Sequence, residues 1–165
     1  MKSLVVFYSL TDKTKLVSQT IAKVLNATLL ELEEAKPRKL KSLTYLSAGF
    51  AAIRDKGTAI NPVNVDLRQY DTIFIGSPIW ASRPTPAINS FIYANNFEGK
   101  SIVPFFTMGG NNSDRALQNI TAKIERSHGR VTGSFAIKSY RSTDDEIVAN
   151  AKEAIKDYVD YSRLI

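Results

Sequence analysis

Residues 70–93 read Tyr70-Asp71-Thr72-Ile73-Phe74-Ile75-Gly76-Ser77-Pro78-Ile79-Trp80-Ala81-Ser82-Arg83-Pro84-Thr85-Pro86-Ala87-Ile88-Asn89-Ser90-Phe91-Ile92-Tyr93. From Tyr70 to Ser77 the chain is β-branched and aromatic with no sustained polar alternation. That pattern predicts a strand buried on both faces, which is the condition of a parallel sheet. Pro78 stops the strand, and a helix is expected from about Pro86 to Ala94. A buried strand, a stiff loop and a helix form the repeating unit of an α/β sheet.

The unit recurs on both sides. Leu4 to Tyr8 is a second doubly buried run. Leu16, Val17, Thr20, Ile21, Val24 and Leu25 follow at helical spacing, closed by Asn26. Ala27 to Glu33 reads as an edge strand. Lys100 to Thr107 is a further strand in spite of Pro104, which lacks a ladder donor. Ser113 is placed to cap a helix reaching about Ser127. Val131 to Ile137 reads as a fifth strand. A last helix spans Thr143 to Tyr161 and opens on a capping box, Thr143 with Glu146. Between Pro37 and Gly57, Leu40, Leu43, Leu46, Phe50 and Ile53 suit a helix with Gly49 as its weak point. The expectation is a doubly wound α/β three-layer sandwich, one domain over residues 1–165.

Composition agrees and narrows the chemistry. The 165 residues are 44% hydrophobic and 23% charged, which excludes a disordered or fibrous chain. There is no cysteine, so disulfides, thiol catalysis and thiolate metal sites are excluded. His128 is the single histidine, which excludes a multi-histidine metal site, and its place in a helix-to-strand turn is that of a helix-end cation. The net charge of +6 favours anionic partners. No apolar run reaches transmembrane length, and no cleavage site follows the short N-terminal one, so a cytoplasmic protein is expected. Lys36, Arg38, Lys39 and Lys41 form a basic run without aromatic interleaving, so it reads as a solvated face and not a nucleic-acid site.

In doubly wound sheets ligands lie beyond the carboxyl ends of the strands, where strand order reverses. Three loops therefore matter. Ser9-Leu10-Thr11-Asp12-Lys13-Thr14 opens a helix, whose free amides and dipole suit a phosphate. It has no P-loop glycines, which disfavours a nucleoside triphosphate with magnesium. Ser77-Pro78-Ile79-Trp80 begins a loop stiffened by three prolines, and Trp80, the only tryptophan, is placed either to receive a flat heteroaromatic ring or to pack as core. Thr107, Gly109 and Gly110 belong to a third loop whose paired glycines permit positive φ and close approach to a ligand. Together they suit a phosphorylated, flat cofactor. Asp144-Asp145 also raises a phosphorylation receiver, but such a domain needs acids after its first strand, where Tyr8-Ser9 stand.

The chain resembles the flavodoxins. The resemblance runs from the first strand to about Asn119 and is carried by residues 5–14 (VVFYSLTDKT), 70–91 (YDTIFIGSPIWASRPTPAINSF) and 97–111 (FEGKSIVPFFTMGGN). It implies a five-stranded parallel sheet in the order 2-1-3-4-5 and flavin mononucleotide (FMN) as cofactor. It implies that Ser9, Thr11, Asp12, Lys13 and Thr14 surround the phosphate. Ser77, Pro78, Ile79 and Trp80 would then line one side of the isoalloxazine, and Thr107, Gly109 and Gly110 the other. The family's first loop commonly reads Ser/Thr-x-Thr-Gly-x-Thr, and Asp12 takes the place of that glycine. Aspartate tolerates the left-handed region, so the turn survives, with the carboxylate expected in solvent and Lys13 offsetting its charge.

The leading functional expectation is an FMN electron carrier between redox proteins with acidic docking surfaces, without nucleic-acid binding or membrane insertion. The alternative is an NAD(P)H-dependent FMN or quinone oxidoreductase on the same fold. A third reading is a binding module that has lost the flavin through Asp12.

Overall fold

A computed structural model describes residues 2–37 and 56–159. The helix expected between Pro37 and Gly57 falls almost wholly on residues 38–55, outside the described residues. Strands β1 (Ser3–Phe7), β2 (Thr28–Glu31), β3 (Thr72–Pro78) and β4 (Ser101–Met108) alternate with helices α1 (Lys13–Leu25), α2 (Pro86–Tyr93), α3 (Asp114–Arg126) and α4 (Asp144–Ala154). Two short strands, β5 (Arg130–Val131) and β6 (Phe135–Lys138), complete the sheet. Strand order is β2-β1-β3-β4-β5, with β6 also paired to β4, and every pair is parallel.

The doubly buried runs divide by parity, as alternating side chains must. Leu4, Val6, Ile73, Ile75, Ile102 and Phe106 pack with Ile88, Phe91, Ile120 and Ile124 of α2 and α3. Val5, Phe74, Val103 and Phe105 face the other way, onto Val17 and Ile21 of α1 and Ile147 and Ala151 of α4. Two cores share one sheet, which makes the three layers. Strand β2 ends the sheet and is largely exposed, in keeping with the edge role read from its alternation.

The expected fifth strand, Val131 to Ile137, is two strands. Thr132, Gly133 and Ser134 separate β5 from β6, and both pair with β4 at successive levels. Pro104 explains the interruption. The carbonyls of Ile102 and Met108 point to this side, accepting from Thr132 (3.0 Å) and Ser139 (2.9 Å). Pro104 shares their parity, so its missing N–H faces the gap between β5 and β6, where no ladder bond is forfeited. The last helix is also shorter than expected: α4 ends at Ala154 and a 3-10 turn takes Lys156–Tyr158. Its start is as read, with Thr143 and Glu146 forming both bonds of the capping box.

Gly76 pairs with Phe105 across β3 and β4, and the Phe105 ring occupies the space above it: a Cβ on Gly76 would stand 2.2 Å from Cζ. Overpacking of this kind costs about 1–3 kcal/mol. Gly76→Ala should therefore lower unfolding free energy by about that amount, measured by urea denaturation.

Candidate functional site

Strand order reverses between β1 and β3, and the loops after β1, β3 and β4 open at one edge. A cleft of about 510 Å³ lies there, within the usual size of ligand pockets. Leu10, Thr11 and Lys13 form one side, Pro78, Ile79 and Trp80 a second, and Thr107, Met108 and Gly109 the floor. The fourth side is Ser139 to Ser142, the loop after β6. This loop lies outside the three expected from the sequence, which follow strands one, three and four. The same rule applied to the last strand finds it, since β6 lies beside β4 and ends at the same edge.

Helix α1 begins with Asp12 in the left-handed region, φ 60°. Its carboxylate makes no capping bond and the residue is exposed. Among the described residues the amides of Thr11, Asp12, Lys13 and Thr14 donate to no protein acceptor, so the turn offers a run of free donors at a positive helix end. Lys13 does not offset Asp12: its ammonium bonds Asp144 at 2.8 Å, joining α1 to the first turn of α4. Lys15 is pinned to Glu31 of β2 at 2.8 Å, and that carboxylate raises the lysine pKa through its hydrogen bond and charge.

Several predicted residues turn their side chains to structural contacts. Thr14 is buried and shares a 2.7 Å hydroxyl contact with Thr107, tying α1 to β4 beneath the cleft. One hydroxyl donates to the other, so one proton of the pair is left for another acceptor. Ser77 is fully buried; its Oγ donates to the Pro78 carbonyl at 2.9 Å and accepts from the Thr85 amide at 2.9 Å, closing the proline loop on itself. Ser9 accepts from the Lys15 amide at 3.3 Å. Gly110 lines an adjoining cleft with Gly109 and Tyr140. Neither glycine has positive φ. Their contribution is room, since a Cβ on Gly110 would meet nothing within 4 Å and one on Gly109 only Tyr140 at 3.6 Å.

Trp80 is partly buried and stands edge-on to the buried Tyr8 ring, 5.8 Å between centroids at 89°. It therefore lines the cleft and leans on the core at once. Its backbone exchanges two 3.0 Å hydrogen bonds with Arg83 across a two-residue turn, Ala81 (φ 49°) and Ser82 (φ 61°). A left-handed residue other than glycine costs about 1–2 kcal/mol. Of the six such residues among those described, Asp12, Ala81, Ser82 and Arg141 lie in loops of this edge. The other two, Asn26 and His128, close the C-termini of α1 and α3.

A flavodoxin family model matches residues 2–139, and the chain belongs to the flavodoxin family. Solved structures share its fold. A protein of Bacteroides eggerthii matches with TM-score 0.74 and 23% identity over 93% of this chain and 97% of that one. A flavoprotein of Lactobacillus acidophilus, solved in complex with FMN, matches with TM-score 0.70 and 21% identity over 92% and 98%. Oxidised flavodoxin 2 of Bacillus cereus matches with TM-score 0.57 and 16% identity over 96% and 99%. Comparison with the curated proteins finds no match.

The residues present fit the cofactor of this family, FMN. The free amides of the α1 turn suit a phosphate, the exposed Asp12 side chain makes no capping bond, and an indole beside open glycines suits a flat ring.

Replacing Ala81-Ser82 by Asn-Gly, the residues that favour two positive φ values, should raise unfolding free energy by about 1–2 kcal/mol, read as an increased urea midpoint.

Proposed function

We propose that this chain binds FMN in the cleft at the carboxyl edge of its sheet and carries electrons between redox proteins. The observation that carries the reading is one edge on which an oriented indole, a run of unpaired helix-start amides and an open glycine floor surround a single cleft. In this reading the bound group carries the electrons, and the lining residues, Lys13, Tyr140 and Arg141 among them, hold and orient it. Bound FMN supplies one- and two-electron redox chemistry; the protein supplies binding, orientation and electrostatics.

Each part of the edge has its task. The amides of Thr11 to Thr14 hold the phosphate. Trp80, its tilt set by Tyr8, covers one side of the ring system and excludes water. Thr107, Met108 and Gly109 support it from the sheet. The net charge of +6 directs association toward acidic surfaces of partner proteins. The proposal takes residues 1–165 as one domain acting in the cytoplasm; among the described residues no helix is long and apolar enough to cross a membrane.

A second reading, an NAD(P)H-dependent flavin or quinone reductase, is favoured by the adjoining cleft of about 700 Å³, which carries Asn111, Lys138 and Asn150. Anaerobic mixing with NAD(P)H separates the two. A carrier bleaches only with a reductase partner, whereas a reductase bleaches at once and turns over with quinone. The cofactor itself is read from the supernatant of denatured protein by chromatography: FMN is expected, and FAD in equal amount with protein would refute the assignment.

Trp80→Ala should weaken FMN binding about tenfold or more. Aromatic contacts contribute about 0.5–1.5 kcal/mol beyond area burial, and about 1.4 kcal/mol is tenfold. Fluorescence of bound flavin should rise as the indole quencher is lost, while Trp80→Phe retains most of the affinity. Fluorescence titration of the apoprotein checks all three.

A further inference from the structure

We propose that Arg141 is a phosphate-recognising residue of the flavin cleft and sets its preference for FMN over unphosphorylated riboflavin. The proposal rests on the FMN reading above and adds a residue outside the three loops from which that reading starts.

Three observations converge on Arg141. Its backbone is left-handed, φ 60°, a conformation that a long side chain adopts only where the surroundings impose it. The loop does impose it. The Ser139 amide donates to the Met108 carbonyl at 2.9 Å, and the Ser142 hydroxyl donates to the Lys138 carbonyl at 3.0 Å, so both flanks are tied to strand ends. Second, the guanidinium lies over the Tyr140 ring, 5.2 Å from its centroid. Tyr140 is itself 59% exposed, so this stacking fills no core and serves to orient the arginine at the rim. Third, the charge is unspent. Lys13 lines the same cleft but is paired with Asp144, whereas Arg141 has no carboxylate partner among the described residues.

Place then selects the ligand group. Arg141 and Ser142 line the cleft together with Thr11 and Lys13 of the α1 turn. An anion resting on the free amides of that turn lies in the cleft that the exposed Arg141 also lines. The planar fork of arginine suits phosphate oxygens, and charge-assisted hydrogen bonds exceed neutral ones. With Lys13 already paired, Arg141 is the cation that discriminates a phosphorylated flavin from its neutral counterpart. The competing role, an anion held only in the adjoining cleft that Arg141 also lines, makes no distinction between the two flavins.

The test titrates apoprotein with FMN and with riboflavin. Arg141→Gly is the informative variant because glycine accepts φ 60° without strain, and its melting temperature should not fall below that of the wild type. FMN affinity is expected to drop about ten- to a hundredfold, the range of a hydrogen bond to a charged group, with riboflavin affinity changing less than about twofold on the same scale. The FMN loss should shrink as salt is raised. Arg141→Lys should recover part of the FMN affinity, since it keeps charge and loses the fork. Equal losses for both flavins would overturn the proposal by showing a structural loop. Unchanged affinity for both would overturn it by showing that the guanidinium serves elsewhere. A wild-type protein that binds neither flavin would refute the FMN reading itself and this inference with it.

Discussion

The parallel register of β1, β3 and β4 is the constraint on which the remaining structure depends. Phe7 stands opposite Gly76, and Gly76 opposite Phe105. With these strands parallel and in step, their carboxyl ends reach one edge, and the loops that leave them must share it. The packing enforces the step: the Phe105 ring fits over Gly76 because that position has no side chain. A slip of one residue would exchange the two sets of core side chains and set a side chain against the Phe105 ring where Gly76 now stands.

On this edge, loop conformation is set by second-line contacts. Ser77 and Thr85 close the proline loop, Thr14 and Thr107 join α1 to β4, and Lys13 joins α1 to α4. Left-handed residues concentrate here too: Asp12, Ala81, Ser82 and Arg141. Strain retained at a cleft is consistent with pre-organisation for a ligand. Asp12 opens α1 with a left-handed backbone, φ 60°, and a side chain that makes no capping bond.

Much of this was legible in the sequence. The buried runs at Leu4–Phe7 and Thr72–Ser77 announced parallel strands, Pro86 opened α2, and Thr143 with Glu146 announced the start of α4. The division of the fifth strand was not legible, because Val131 to Ile137 has no break in pattern beyond Gly133, and the cause lies across the sheet at Pro104. Nor can a sequence tell which way a hydroxyl points. Ser77 and Thr14 sit where a ligand site was expected, yet both face inward and brace the walls. Tyr140 and Arg141 were missed for a different reason: their loop follows the sheet's last strand, and only the pairing of β6 with β4 brings it to the cleft.

If one edge of the sheet receives the whole cofactor, amide chemical shifts during titration of the apoprotein with FMN will show it. Large shifts are expected only at Thr11–Thr14, Ile79–Trp80, Gly109–Gly110 and Tyr140–Arg141, with the α1–α4 groove around Thr20, Val24 and Val148 unmoved. Shifts centred on that groove, or none at the carboxyl edge, would contradict it.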